Sequence, residues 1–239
     1  MSWSQTLVAA IIAVTGAPDA PPQGLVPPVL TPLPPQRPVR TPLPPRIDVG
    51  ARVLRPVMLR DRPGGAMVAR LETKTEFGSP RVLPVVRRRG DWLGVIATER
   101  ANGTLGWLPA DGVRLVEEPV RLHVDLSERT LRVVRSGRTV ARMSVGIGSA
   151  DTPTPTGEFA VTDGIRGWGP YGCCILALSG HQPQLAQGWT GGDRLAVHGT
   201  PAGDTIGGAA SLGCLRAGER DLRMLLRTAR LGARVRIQA

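Results

Sequence analysis

The chain has 239 residues, enough for one or two domains with a substantial core. Its 30 basic against 19 acidic residues set a formal net charge of +11, yet Lys74 is the sole lysine, only Arg87-Arg88-Arg89 form a basic run, and aromatics amount to 3%. Nucleic-acid binders concentrate basic residues on one face and interleave aromatics for stacking, so this composition argues against nucleic acid and leaves a basic surface suited to an anionic polymer.

The N-terminus carries Leu7-Val8-Ala9-Ala10-Ile11-Ile12-Ala13-Val14. That run is shorter than the roughly 20 apolar residues a bilayer span needs, but it suits the apolar core of an export signal. Small residues at Ala17 and Ala20 offer cleavage points, whereas no Lys or Arg precedes Arg37. Residues 1–20 are therefore expected to be a signal peptide or an N-terminal membrane anchor, which places the protein outside the cytoplasm, in the cell envelope. Residues 21–48 read as a linker. Eleven of the 26 residues from Pro21 to Arg46 are proline, which favours extended polyproline II over helix or sheet.

From 49 to 117 the pattern changes to brief apolar runs between turn signals: Val53-Leu54, Met67 to Leu71, Val82 to Val86, Trp92 to Ala97 and Leu105 to Leu108. Such spacing predicts a small all-β barrel. The blocks Gly90-Asp91-Trp92-Leu93-Gly94-Val95 and Gly106-Trp107-Leu108-Pro109-Ala110-Asp111 resemble the closing strands of a bacterial SH3-like domain. That resemblance implies binding to cell wall or peptide; a rigid spacer with Trp92 and Trp107 in its core is the alternative.

Residues 120–239 form a second predicted domain. Arg121 to Leu126, Thr130 to Val134, Thr139 to Ile147 and Gly157 to Thr162 alternate like half-buried antiparallel strands. Gly164 to Tyr171 is rich in glycine yet holds Trp168 and Tyr171, which suits a loop over a substrate or a loop packed on the core. Cys173-Cys174 are expected as two buried free thiols, because neighbouring cysteines bridge only through a distorted peptide; a reversible disulfide from one of them to Cys214 is the alternative. Gly218 to Ala229 places Leu222, Leu225, Leu226 and Ala229 at helical spacing, Gly232 follows as a stop, and Ala233 to Ile237 alternates as a last strand.

The chemistry concentrates in Val197-His198-Gly199-Thr200 and Ser211-Leu212-Gly213-Cys214-Leu215-Arg216, with histidine and cysteine sixteen residues apart (214 − 198). A thiol attacks as thiolate, so an acyl-transfer site needs an imidazole beside the sulfur and amide donors for the oxyanion. Gly213, lacking a Cβ, can turn its own N–H and that of Cys214 into one pocket. Arg216 shares a strand face with Cys214, where its charge favours thiolate and can hold a carboxylate. His123 and His181 lie outside any motif and read as structural. The vicinal cysteines lack zinc-site spacing, so no metal and no cofactor is expected.

These two blocks resemble the active-site signature of the YkuD-type L,D-transpeptidase family, in which His-Gly-Thr is followed by Ser-x-Gly-Cys-x-Arg. Upstream, Thr152-Pro153-Thr154-Pro155-Thr156-Gly157-Glu158-Phe159 is similar to the Thr-Pro-x-Gly-x-Phe turn of the same family. Leu212 stands where many members carry a second histidine, which leaves His198 as the working base. The resemblance implies a mainly β fold, a sandwich or barrel with one or two helices behind the SH3-like module. It further implies a peptidoglycan stem peptide as substrate, Cys214 as nucleophile, His198 as base with the Gly199 carbonyl orienting its ring, and Gly213 and Cys214 amides at the oxyanion. Arg216, Thr200, Trp168 and Tyr171 are the expected substrate-binding residues, Arg216 also bracing its loop through main-chain carbonyls; Ser211 is expected to bond locally and shape the turn, with substrate binding as its second role. Hydrolysis of the same acyl-enzyme, as an L,D-carboxypeptidase, and a non-catalytic wall-binding protein are the competing readings, and oligomeric state stays open.

Overall fold

The computed structural model describes residues 48–186, 192–201 and 203–239. The expected signal segment and all of the proline-rich linker except Asp48 lie outside them. Asp48 itself is the first residue of a strand rather than the end of a linker.

Residues 48–118 build a seven-stranded antiparallel sheet. Its strands are β1 (Asp48–Val53), β2 (Val57–Arg60), β3 (Met67–Leu71), β4 (Val82–Arg89), β5 (Trp92–Val95), β6 (Gly106–Pro109) and β7 (Val113–Glu118), in the order β3-β2-β6-β5-β4-β1-β7. Their inward residues, including Ala51, Leu59, Leu71, Leu93 and Leu108, make a separate apolar core. Two strands were not expected from sequence. β2 is four residues long behind Pro56, and β7 ends in two glutamates, so neither presents the apolar alternation that marks a strand. Trp107 is buried under the Arg89 guanidinium, 5.4 Å from its ring centre.

The second sheet has nine strands: β8 (Val120–Asp125), β9 (Thr130–Arg135), β10 (Arg138–Gly148), β11 (Gly157–Arg166), β12 (Cys174–His181), β13 (Arg194–His198), β14 (Ala209–Ser211), β15 (Leu215–Ala217) and β16 (Arg234–Gln238). They run β14-β10-β15-β13-β12-β11-β16-β8-β9, and β9 also pairs with β10, so the sheet closes on itself. The single α-helix among the described residues, α1 (Glu219–Thr228), buries Leu222 and Leu225 completely against this core. The fold is mainly β, as expected.

Two segments differ from expectation. β11 runs on through Gly164-Ile165-Arg166, paired with Leu176, Ile175 and Cys174, so the loop that carries Trp168 and Tyr171 begins only at Gly167. Its partner β12 is buried at seven of eight positions. A strand covered on both faces has no alternation to read, which is why it stayed hidden in the sequence.

Polar contacts fasten the first sheet to the second, at the ends of β12 and β13 and at β8. Asn102 of the first receives the His181 main-chain N–H and donates to its carbonyl at 3.0 and 2.7 Å, and the His181 ring bridges the Thr98 carbonyl and Asp193 at 2.8 and 2.7 Å. Arg194 pairs with Glu76, and Arg121 grips Asp48 with two hydrogen bonds. His181 is thus a structural bridge, and His123 sits half-buried on β8.

Candidate active site

Strands β13 and β15 run parallel with Val197 opposite Leu215 and His198 opposite Arg216. Leu195, Val197, Leu215 and Ala217 point into the core. Alternation therefore sends His198 and Arg216 to the other face, side by side on paired strands, and Cys214 directly precedes β15. The fold thus sets an imidazole beside a guanidinium, with the thiol at the head of the guanidinium's strand.

His198 is buried, 6% exposed, and its Nδ1 lies 2.6 Å from the Gly199 carbonyl. A carbonyl can only accept, so Nδ1 carries the proton and Nε2 holds the free lone pair. Gly199 is tightly packed: a Cβ would stand 3.0 Å from the Tyr171 carbonyl and 3.1 Å from the Gly172 Cα, so backbone would have to shift by a few tenths of an ångström to admit a side chain. Burial pulls the His198 pKa below the ordinary histidine value, the Gly199 hydrogen bond opposes this, and the Arg216 charge adds to the lowering. Burial pushes the Cys214 thiol up, against weaker opposing pulls from the Ala196 amide and Arg216. The thiol donates to the Arg194 carbonyl at 3.6 Å. Both shifts favour the neutral pair, thiol and imidazole, over a preformed thiolate–imidazolium pair at neutral pH.

The nucleophile turn is held from several sides. Gly213 has φ +113°, and a Cβ there would meet Gln182 Nε2 at 2.3 Å, so only glycine fits. Ser211, 3% exposed, donates to the Cys214 carbonyl at 2.6 Å and accepts the Gly213 N–H at 3.1 Å. The Ser211 hydroxyl is used inside the turn, the first of its two expected roles. One expectation is corrected: the Gly213 amide points at that hydroxyl rather than at an oxyanion. The Cys214 N–H, by contrast, has no acceptor among the described residues. Arg216 likewise forms no hydrogen bond or ion pair among them, although it lies close enough to act on both His198 and Cys214.

The wall beside His198 is aromatic. Tyr171 packs edge-on against the His198 ring with centroids 5.0 Å apart, and Trp168 packs on Tyr171 at 5.2 Å while remaining 59% exposed. Trp168 is therefore no core residue. Thr200 follows directly on the His198-Gly199 turn, half-buried.

Cys173 and Cys174 are joined as a vicinal disulfide, and Cys214 is the free cysteine. This replaces the expected pair of free thiols and leaves neither cysteine bonded to Cys214. The two residues straddle a loop and a strand: only Cys174 belongs to β12, and Cys173 is tied by its carbonyl to the Gly167 amide. No cluster of three or more metal-ligating side chains occurs among the described residues.

Sequence reasoning did not single out Gln182 and gave Thr154 no role. Gln182 donates to the carbonyls of Pro153 and Leu212 at 3.0 and 3.3 Å, and Thr154 Oγ1 donates to that of Gly213 at 2.9 Å. Thr154 lay within the Thr-Pro block, where its repeated prolines were the signal; Gln182 had none.

Residues 119–237 match the family model described as the L,D-transpeptidase catalytic domain. A protein of Bacillus licheniformis provisionally named L,D-transpeptidase YkuD is 33% identical over 120 residues, and one of Bacillus subtilis with the same name is 30% identical over 120. Each alignment covers 50% of this chain and 66% of the relative. Among solved structures, an L,D-transpeptidase from Enterococcus faecium is 19% identical with a TM-score of 0.41, covering 51% of this chain and 50% of that one. The family match leaves the seven-stranded sheet outside it.

Proposed function

Because residues 119–237 belong to the YkuD family of L,D-transpeptidase catalytic domains, we propose that this protein is a cysteine-dependent peptidoglycan L,D-transpeptidase. The observation that supports the reading is the register of β13 against β15, which sets His198 opposite Arg216, on the strand that Cys214 directly precedes.

The donor is a stem tetrapeptide. Its carboxylate approaches Arg216, whose guanidinium has no other partner among the described residues, and Trp168, Tyr171 and Thr200 border the peptide. His198 Nε2 takes the thiol proton as the Cys214 sulfur attacks the carbonyl of the third residue, and the Cys214 N–H receives the developing oxyanion. Collapse breaks the amide bond, and the His198 proton goes to the departing D-alanine amine. A thioester remains. The amine of a second stem then adds to it, loses its proton to His198 and expels Cys214, which recovers that proton as a thiol. Atoms and charge balance over the cycle, and no metal or redox group is required.

The first sheet, residues 48–118, serves this reading as a wall-binding or spacing module of SH3-like type. The apolar N-terminal segment carries the chain to the cell envelope, by a cleaved signal or as a tether.

Incubation with disaccharide tetrapeptide and a separate amine acceptor, read by mass, tests the assignment. The expected product joins acceptor to tripeptide with release of D-alanine. Tripeptide acid alone, at every acceptor concentration, would make the protein a carboxypeptidase, and unchanged tetrapeptide would refute catalysis on this substrate.

A further inference from the structure

Three successive carbonyls of the nucleophile turn are each held by a hydrogen bond. The Ser211 carbonyl accepts from the Ser149 amide at 2.9 Å and from Thr152 Oγ1 at 3.1 Å. The Leu212 carbonyl accepts from Gln182 Nε2 at 3.3 Å, and the Gly213 carbonyl from Thr154 Oγ1 at 2.9 Å. Both clamping side chains are themselves fixed. Thr154 is 5% exposed and its hydroxyl accepts the Gly148 N–H at 2.9 Å; Gln182 is 1% exposed and also donates to the Pro153 carbonyl at 3.0 Å.

A trans peptide is planar, with its C=O and N–H pointing in opposite directions. Fixing the Gly213 carbonyl therefore fixes the direction of the Cys214 N–H, the amide that has no acceptor among the described residues. Fixing the Leu212 carbonyl does the same for the Gly213 N–H, which is delivered to Ser211 Oγ.

We propose that Thr154, seconded by Gln182, is a positioning residue that aims the Cys214 amide at the oxyanion of the reacting carbonyl. The inference rests on the acyl-transfer reading of Cys214. Thr154 touches no substrate; it acts through one peptide plane. Preorganised donors are effective because they need no reorientation as charge develops, so a loosened plane loses rate even though the donor is still present.

The test compares Thr154→Val, which deletes the hydroxyl at nearly constant shape, with Thr154→Ser, which keeps it. Two reactions of Cys214 are followed: acylation by a carbapenem, which builds negative charge on a carbonyl oxygen, and alkylation by iodoacetamide, which does not. Thr154→Val should lower acylation about 10- to 100-fold and leave alkylation nearly unchanged, and Thr154→Ser should restore acylation. Wild-type acylation in Thr154→Val, or a parallel fall of both rates, would overturn the proposal. If Thr154→Val does not fold, Thr154→Ala, which also lacks the hydroxyl, carries the same comparison, with the same split expected and a parallel fall or no fall overturning it. The Cys214 amide resonance of 15N-labelled protein reads the aim without any acylation: it should move in Thr154→Val and stay in Thr154→Ser. A wild-type protein that no carbapenem acylates would count against the acyl-transfer reading, whereas an unmoved resonance in Thr154→Val would count against this one.

Discussion

Cys214→Ala is expected to abolish the covalent carbapenem adduct and to lower transfer from a stem tetrapeptide by about 10⁴-fold or more, since loss of a nucleophile removes the covalent route rather than slowing it. No neighbour replaces the sulfur. Cys173 and Cys174 are tied to each other, and the Ser211 hydroxyl donates to the Cys214 carbonyl while accepting the Gly213 N–H. The fold should survive, because the thiol contributes a single long hydrogen bond to the Arg194 carbonyl. Its removal falls among the changes that cost about 1 kcal/mol. Intact mass after carbapenem exposure, with the unfolding midpoint measured alongside, checks both statements. An adduct on the variant would transfer the nucleophile to another residue.

His198→Ala carries the second large effect, a fall in acylation of about 10²- to 10⁴-fold, the range that a positioned general base contributes. The size follows from the resting charge state. Because burial raises the Cys214 thiol above its ordinary value, little thiolate exists at neutral pH without a base to make it. The pH profile separates this from a structural defect. In the wild-type protein His198 is held below the ordinary histidine value, so it stays neutral and competent through neutral pH, and the rate falls only as acid protonates it below that value. In His198→Ala that acid limb should vanish, and the residual rate should climb with pH as the thiol ionises, with no plateau near neutrality. Stopped-flow acylation across pH 5 to about 10 reads both profiles. A wild-type rate that held level far into acid would instead point to a preformed ion pair.

Much of this site was written locally in the sequence, and the part that was not is made by strands that meet from far apart. Gly213 at φ +113° is a position where a side chain cannot fit, so glycine itself marked it, whereas Gly199 was marked by the motif around it. The alternation of β8 to β10 and the helical spacing of Leu222 and Leu225 were legible because one face of each element is buried and the other is wet. β12 was not, being covered on both faces, and with it went the contacts it organises: Gln182 at its exit, the Ile175–His198 pairing and the vicinal disulfide at its entry. Hydrogen-bond direction also eludes sequence. The Ser-x-Gly-Cys spacing marks where a tight turn lies, but which amide remains open depends on Thr154, Gln182 and Ser211 claiming the others.

The junction of the two sheets lies one strand away from this turn. Asn102 and Thr98 hold His181, and Glu76 holds Arg194, whose carbonyl receives the Cys214 thiol. The seven-stranded sheet thus buttresses the strand ends on which the nucleophile rests.

The most direct measurement is the intact mass of wild-type protein quenched in acid shortly after mixing with disaccharide tetrapeptide, followed by peptide mapping. The account predicts a gain equal to the donor minus D-alanine, located on the peptide containing Cys214 and released by hydroxylamine as a thioester would be. Turnover of the tetrapeptide with the adduct on any other residue, or a Cys214 that stays unmodified while product accumulates, would contradict it.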